Sequence, residues 1–162
     1  PENSVMMPDL SRDIIPVFLI DRRTGVKNMG KGFIKGIGMK RGAVATTLIW
    51  DTCNILALGT SYADIVFATN RLIELGGGWV VAKNSKIIFE FPMPLYGLIP
   101  TMTIPQIAKK ESRLENALRK LGSKMERPYL NLQTIAFTGL PFLRLTNRGL
   151  LDMKTMRKVA LF

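Results

Sequence analysis

The sequence predicts an α/β (α+β) fold: a single layered domain over residues 1–162, with a mixed, largely antiparallel sheet packed by helices. Short apolar runs rich in β-branched residues alternate with amphipathic helical stretches along the chain. A length of 162 residues lies within the range of one domain. The 47% hydrophobic and 22% charged residues are typical of a packed globular protein.

The first third of the chain predicts extended segments. Apolar and β-branched runs predict strands over Ile14–Ile20, 43–50 and 55–58, and a glycine-rich extended piece over 33–39. Polar residues predict a loop over 21–31 and a turn over 40–42.

A helix over 61–75 and a hairpin are expected next. Ser61 and Asp64 resemble a capping box, and Ile65, Ala68, Leu72 and Leu75 recur at helical spacing. Three glycines at 76–78 end this helix. Strands over 79–82 and 86–91 then flank a tight turn at Asn84 and Ser85, and alternation predicts that Ile87, Phe89 and Phe91 share one side.

The last third begins with an irregular crossing loop, since prolines stand at 92, 94, 100 and 105. Thr103 and Gln106 form a second capping-box pattern, opening a helix that stops at Gly122. Its apolar face carries Ile107, Leu114, Leu118 and Leu121, and its opposite face is basic. Residues 130–137 fit either helix or strand, and Pro141 precedes a short extended piece over 143–145.

The net charge of +11 and the pI near 10.2 raise the question of nucleic-acid binding. The lysines and arginines are scattered and are not interleaved with aromatic residues that could stack on bases, which favours a solvated basic surface or an acidic partner. No apolar run is long enough for a membrane span, and residues 1–13 lack the pattern of a signal peptide. We therefore expect a cytoplasmic protein without a membrane partner, and its one cysteine excludes an intrachain disulfide.

The chain contains no histidine. The commonest general base and the usual ligands of a catalytic zinc are therefore missing, so we expect no metal site in this chain. A near match to a phosphate-binding loop over 25–32 lacks the final hydroxyl and leads into a strand pattern rather than a helix. The glycines at 76–78 follow a helix, whose C-terminal end disfavours anions.

One polar cluster brings together a carboxylate, a hydroxyl, a thiol and an amide beside an aromatic ring. Its residues are Trp50, Asp51, Thr52, Cys53 and Asn54. A turn capped by Asp or Asn explains the cluster without any function, and a ligand site is the alternative. A role for Cys53 as a nucleophile is weaker than either alternative, because no histidine can activate its thiol.

Several motifs follow one another from about Ile14 to about Asp152. They are the segments over 35–47 and 51–55, Asn70-Arg71-Leu72-Ile73 before Gly76-Gly77-Gly78, Pro92-Met93-Pro94-Leu95 with Gly97-Leu98, and 145–150 with Asp152. In this order they give the chain a resemblance to the C-terminal domain of microbial adenine deaminases of the amidohydrolase superfamily.

The resemblance implies a hydrolase of purine metabolism that converts adenine and water to hypoxanthine and ammonia. It places a divalent metal such as manganese in a separate (β/α)8 barrel, which needs about 250 residues and exceeds this chain. We therefore expect an accessory domain that is inactive alone and pairs with a catalytic barrel in cis or in trans. Whether the chain counts as an enzyme stays open on this basis.

The family motif His-Asp-Ser-His-Asn stands here as Trp50-Asp51-Thr52-Cys53-Asn54, so both imidazoles are replaced. The resemblance implies that Asp51 and Asn54 donate or accept hydrogen bonds at an interface facing the barrel, with Trp50 as a stacking surface. Thr52 and Cys53 are weaker candidates. Two alternatives remain: an interaction module that forms a homo-oligomer to cover its apolar face, and a basic nucleic-acid or nucleotide binder.

Overall fold

The computed structural model describes residues 7–24 and 28–161, which form a six-stranded sheet covered on both faces. One helix packs on one face, and two helices with a three-stranded sheet pack on the other. The predicted α+β class is confirmed. Within the described ranges, no helix combines the length and apolar content needed to cross a membrane.

The strands of the main sheet are β1 (Ile14–Ile20), β2 (Met29–Lys35), β3 (Ala43–Thr46), β4 (Ile55–Gly59), β5 (Gly78–Lys83) and β6 (Lys86–Pro92). The helices are α1 (Tyr62–Glu74), α2 (Ile104–Lys120) and α3 (Pro128–Thr134), and the small sheet contains β7 (Leu143–Thr146), β8 (Gly149–Asp152) and β9 (Arg157–Val159).

The main sheet has the order β2-β1-β4-β3-β5-β6, and every recorded strand pair in it is antiparallel. The sequence predicts a mixed, largely antiparallel sheet, and the recorded pairs show the antiparallel part of that prediction. Helix α1 carries the chain from β4 past β3 to β5, so β4 and β5 run in the same direction on either side of the antiparallel β3.

The central strands are buried on both faces. On the α1 side they carry mainly small residues, including Ala43, Ala45 and Ala57, which pack with Ala68 and Leu72 of the helix. On the other side larger residues form the main core with α2, α3 and the small sheet, among them Leu56, Leu58, Trp79, Phe91, Leu114 and Leu132.

Both long helices end as the glycine pattern predicts. After α1, the N–H of Gly77 donates to the carbonyl of Leu72 and the N–H of Gly76 donates to Ile73, which is a Schellman arrangement. Gly122 and Ser123 repeat the pattern at the end of α2, where they donate to Arg119 and Leu118. The left-handed φ values of Gly76 (74°) and Gly122 (102°) explain why glycine stands there.

The predicted capping box of α1 is only half formed. Ser61 Oγ accepts the Asp64 N–H at 3.4 Å. The buried Asp64 carboxylate does not return to Ser61; its Oδ1 accepts the N–H of Ser85 at 2.8 Å. Asp64 therefore fixes the β5–β6 turn to the start of α1. At α2, Gln106 Oε1 accepts the Thr103 N–H at 2.9 Å, as predicted.

Two strands differ from the prediction by several residues, and the predicted extended piece over 33–39 ends at Lys35. β2 begins at Met29, inside the predicted loop, because Met29 pairs with Ile20 in a short β1–β2 connection. β3 ends at Thr46, so the predicted strand over 43–50 is too long. The Thr46 hydroxyl oxygen accepts the Leu48 N–H at 3.0 Å, and this local bond competes with the strand ladder.

The predicted single apolar side of β6 is also wrong. Phe89 pairs with Val81 whereas Ile87 pairs with Ala82, so Ile88 is an extra residue at a β-bulge. The bulge places Phe89 in the main core and Ile87 in the α1 cluster, on opposite faces of the sheet.

The ambiguous stretch over 130–137 is mainly helical, as α3, and the extended piece over 143–145 is confirmed as part of β7. β8 and β9 were not predicted. The β7–β8 turn packs closely on β2 at Gly30, where a Cβ atom would lie 1.8 Å from the carbonyl oxygen of Thr146. Gly30 therefore lets the small sheet approach the main one.

A lysine of α2 donates to a backbone carbonyl of the edge strand β6. Lys110 Nζ of α2 donates to the carbonyl of Glu90 at 2.9 Å. At the other edge of the sheet, β2 presents Lys31 and Lys35 to solvent.

We expect Gly30→Ala to lower the free energy of unfolding by about 1–3 kcal/mol, since the new methyl group forces the small sheet away from β2. Urea denaturation measures this loss. Gly32→Ala is the matched control on the same strand, because its methyl group would meet only side chains at 3.7–3.8 Å. Equal losses in both variants would contradict the close approach at Gly30.

Candidate functional site at the loop end of the sheet

Several loops meet at one end of the main sheet. We call this region the loop end and define it as residues 21–24, 28, 47–54, 76–77 and 93–103. The antiparallel registers place the end of β1, the end of β3 and the starts of β4 and β5 side by side here. The predicted cluster over 50–54 is the loop between β3 and β4, so it lies in this region.

Trp50 is attached to α3 through both its backbone and its ring. Its backbone N–H donates to the carbonyl of Gln133 at 3.1 Å, and its indole Nε1 donates to Gln133 Oε1 at 3.2 Å. The ring packs edge-on against Phe137 with centroids 5.2 Å apart. Trp50 is nevertheless 43% exposed, so part of the ring is available to a partner.

Asp51 links the β3–β4 loop to the segment after α3. Its Oδ2 accepts the backbone N–H of Thr138 at 3.1 Å and the hydroxyl of Thr138 at 2.8 Å. Asp51 adopts a left-handed backbone with φ 68°, which Asp tolerates better than most residues. This geometry gives Asp51 a defined positioning role within the chain.

Arg22 joins two of the loops. Its Nε donates to the carbonyl of Cys53, and its Nη2 donates to the carbonyl of Tyr96 at 2.6 Å. The backbone N–H of Arg22 donates to Asn54 Oδ1 at 3.4 Å. One guanidinium therefore fixes the β3–β4 loop against the loop after β6.

Asn54 and Cys53 contribute to the fold of this loop more than to its surface. Asn54 is 2% exposed, so its amide is directed into the domain rather than toward an external interface. Cys53, with φ 52°, contributes its backbone carbonyl to Arg22. The Thr52 hydroxyl oxygen accepts the Asn54 N–H at 3.5 Å, so it stabilises the turn.

Thr47 forms a second connection between loops. Its hydroxyl donates to the carbonyl of Gly97 and accepts the N–H of Gly78 at 2.8 Å. A Cβ atom on Gly77 would lie 2.4 Å from the Cα of Gly97. Gly77 and Gly78 therefore serve close backbone packing, whereas Gly76 serves the helix end.

The loop end also presents apolar side chains to solvent. Tyr96 is 85% exposed, Ile99 54% and Leu95 48%, and all three belong to the loop after β6. Together with Trp50 they form a set that we call the apolar rim. Exposed apolar groups concentrated in one region commonly mark a contact surface.

Sequence reasoning identified the β3–β4 loop but missed Arg22, Thr47 and Tyr96 as its partners. Arg22 follows directly after β1, and Tyr96 stands before Gly97 in a proline-rich loop, yet neither pattern indicates a contact across 74 residues. The one indication in the sequence was that each of these residues comes after a strand, so that all three could meet at the same end of the sheet.

Among residues 7–24 and 28–161, no group of three or more Asp, Glu or Cys side chains converges in a way that could hold a metal ion. The near phosphate-binding loop over 25–32 falls partly outside the described residues, and from Met29 onward it is strand β2, with no helix N-terminus.

Asp21 has a shifted acidity. Hydrogen bonds from the Thr24 hydroxyl and from the Arg23 and Thr24 backbone N–H groups lower its pKa from 3.8 to about 2. Its Oδ2 also accepts from Asn147 Nδ2 at 2.8 Å, which connects the β1–β2 loop to the β7–β8 turn. The carboxylate form therefore helps hold the small sheet at the loop end.

We expect Arg22→Ala to lower the free energy of unfolding by about 1.5–3 kcal/mol, because two backbone carbonyls lose a charged donor. Urea denaturation is the measurement. Arg23→Ala, at the exposed neighbouring position, should change stability by less than about 0.5 kcal/mol. An equal loss of unfolding free energy in both variants would show that the hydrogen bonds from Arg22 to Cys53 and Tyr96 do not stabilise the domain.

The lowered pKa of Asp21 gives a stability contribution that is complete above its unfolded value near 3.8 and is lost as pH falls through about 2. We therefore expect the stability difference between wild type and Asp21→Asn to shrink as the pH is lowered from about 5 to about 2. Urea unfolding of both proteins across this range measures it. Asp9 has a pKa lowered to about 2 as well, and comparison with the variant removes its contribution. A difference that stays constant with pH would contradict the assignment.

Comparisons with known proteins match nearly the whole chain to one family. The sequence profile of the adenine deaminase C-terminal domain matches residues 1–157. An adenine deaminase of Kosmotoga olearia is 38% identical over 157 residues, which cover 97% of this chain and 27% of the relative. An adenine deaminase of Brucella abortus is 40% identical over 146 residues, which cover 90% of this chain and 25% of the relative.

An adenine deaminase of Clostridium botulinum is 36% identical over 154 residues, covering 95% of this chain and 26% of the relative. The chain thus spans about a quarter of the length of these relatives. Because the family profile matches nearly all of it, the chain belongs to the adenine deaminase C-terminal domain family.

Proposed function

We propose that this chain is the accessory domain of an adenine deaminase-like hydrolase and acts together with a separate catalytic domain. The observation that carries the proposal is that 90–97% of the chain matches only 25–27% of each adenine deaminase. The reaction is the hydrolysis of adenine to hypoxanthine and ammonia. The catalytic domain lies in the same polypeptide or in a second one.

The side chains of this chain indicate which of the two domains performs the chemistry. The chain has no histidine, so it lacks the commonest group for proton transfer near neutral pH. We assign a divalent metal and the activation of water to the catalytic domain, and no step of the reaction to this chain. On this proposal the isolated chain does not deaminate adenine.

The loop end is the surface proposed to contact the catalytic domain. Its apolar rim offers Trp50, Leu95, Tyr96 and Ile99, and burial of large apolar side chains drives most stable interfaces. The bonds from Arg22 and Thr47 hold this surface in one conformation before contact. A preformed surface loses less conformational entropy on binding.

Within this surface the residues over 50–54 have different roles. Trp50 contacts the partner through its exposed ring, and Asp51 holds the adjacent segment through Thr138. Asn54, Thr52 and Cys53 shape the loop from inside. This replaces the idea that Asn54 itself faces the catalytic domain, since its amide is buried.

We expect Trp50→Ala to weaken binding of the chain to an adenine deaminase catalytic domain, supplied as a separate polypeptide, by about tenfold or more. Isothermal titration calorimetry measures the dissociation constant. Val66→Ala is the control, because Val66 is also exposed (58%) but lies on α1, outside the loop end. Unchanged binding by Trp50→Ala, with the control equal to wild type, would exclude the loop end as the interface.

A second experiment tests the proposal that this chain performs no step of the reaction. We expect the purified chain to show no turnover of adenine with manganese, zinc or iron added, and to restore or raise the activity of the catalytic domain when the two are mixed. Ammonia release measures both. Metal-dependent turnover by the chain alone would contradict an accessory role.

A further inference from the structure

A basic cavity of about 660 Å³ lies at the opposite end of the sheet from the loop end. It is formed where the C-terminal half of α2 passes the β5–β6 hairpin, and Arg41 closes one side. Its volume is within the range of small-molecule sites, about 300–1,000 Å³.

The cavity carries four cationic side chains: Arg41, Lys83, Arg113 and Lys120. Its lining contains no carboxylate, and none of the four cations is in an ion pair with another described residue. Glu90, on the adjacent part of β6, is already bound by Arg71 at 3.0 and 3.3 Å. The positive charge in the cavity is therefore not neutralised by the surrounding described residues.

Arg41 is held in place by the end of α2. Its Nη2 donates to the carbonyl of Lys120 at 3.0 Å. The following residue, Gly42, has a left-handed φ of 74°, and a Cβ atom there would lie 2.5 Å from the carbonyl oxygen of Ala82. This tight turn fixes the backbone from which Arg41 extends.

The negative pole of α2 does not oppose an anion here. A helix C-terminus normally exposes carbonyl groups that repel negative charge. At this end the carbonyls of residues 117–121 all accept hydrogen bonds, the last two from the Arg41 side chain and the Lys40 N–H. The cations consequently dominate the local potential.

The cavity also has an apolar wall. The β-bulge at Ile88 places this side chain in the lining, 44% exposed, beside the buried ring of Phe89. An apolar side chain next to several cations suits a ligand that has both an anionic group and an organic body. Arginine is especially suited to phosphate oxygens because its guanidinium can donate two parallel hydrogen bonds.

We propose that this cavity binds a phosphorylated small molecule of nucleotide size. The phosphate groups contact Arg41, Arg113, Lys83 and Lys120, and the organic body lies against Ile88. The concave shape favours a small ligand over a nucleic-acid strand, whose binding surfaces are extended grooves with exposed aromatic residues. The site is separate from the loop end and does not depend on the proposed function.

The test is isothermal titration calorimetry of the purified chain with ATP as the probe, near physiological salt. We expect a dissociation constant below about 1 mM, and a tenfold or greater weakening in the double variant Arg41→Gln, Arg113→Gln. The control is Arg157→Gln, Lys158→Gln, which removes the same charge from exposed positions on β9 outside the cavity. Thermal unfolding of each variant verifies that it is folded.

Each outcome decides the proposal. Weaker ATP binding in the cavity variant alone supports it, whereas equal weakening in both double variants, or no binding of ATP by wild type, overturns it.

The apolar wall is tested with Ile88→Ser, which should weaken the binding of ATP and leave the binding of inorganic triphosphate unchanged. An equal effect on both ligands would overturn the role of the organic body. Tighter, length-dependent binding of single-stranded RNA that the cavity variant abolishes would replace the proposal with nucleic-acid binding.

Discussion

The domain depends on central strands that are buried on both faces but differ in the size of the side chains they present. Alanines at positions 43, 45 and 57 let α1 lie close to the sheet, whereas leucine and aromatic residues on the other face fill the wider space below α2 and α3. This asymmetry allows one helix to cover one face and a larger, mixed layer to cover the other. The loops that form the candidate site leave the ends of these same strands.

Elements whose signals are local could be predicted from the sequence. β1, α1 and α2 follow from apolar spacing, and the ends of the two helices follow from glycines with left-handed backbones. The failures concern interactions between distant residues. The bulge at Ile88 reverses the face of Ile87, and the end of β3 at Thr46 depends on a side-chain bond to the next turn. β8 and β9 pair only with each other and β7, and their short sequences carry little periodicity.

The candidate site shows the same limit. A polar segment between two strands marked the loop over 50–54, but its stabilisation by Arg22 required knowledge of the sheet order. Within this loop Trp50 and Cys53 make different kinds of contact. Trp50 is anchored on α3 through its ring, whereas Cys53 contributes its backbone carbonyl, which any residue that tolerates its left-handed φ could supply.

The lysines on the two edge strands have a consequence for the behaviour of the domain in solution. An open sheet edge can pair with another chain, and charged side chains at the edge oppose this. Lys110 occupies the Glu90 carbonyl on β6, and Lys31 and Lys35 extend from β2. In the folded domain these lysines oppose edge-to-edge pairing at both open edges of the main sheet, and this protection comes from side chains of the domain itself.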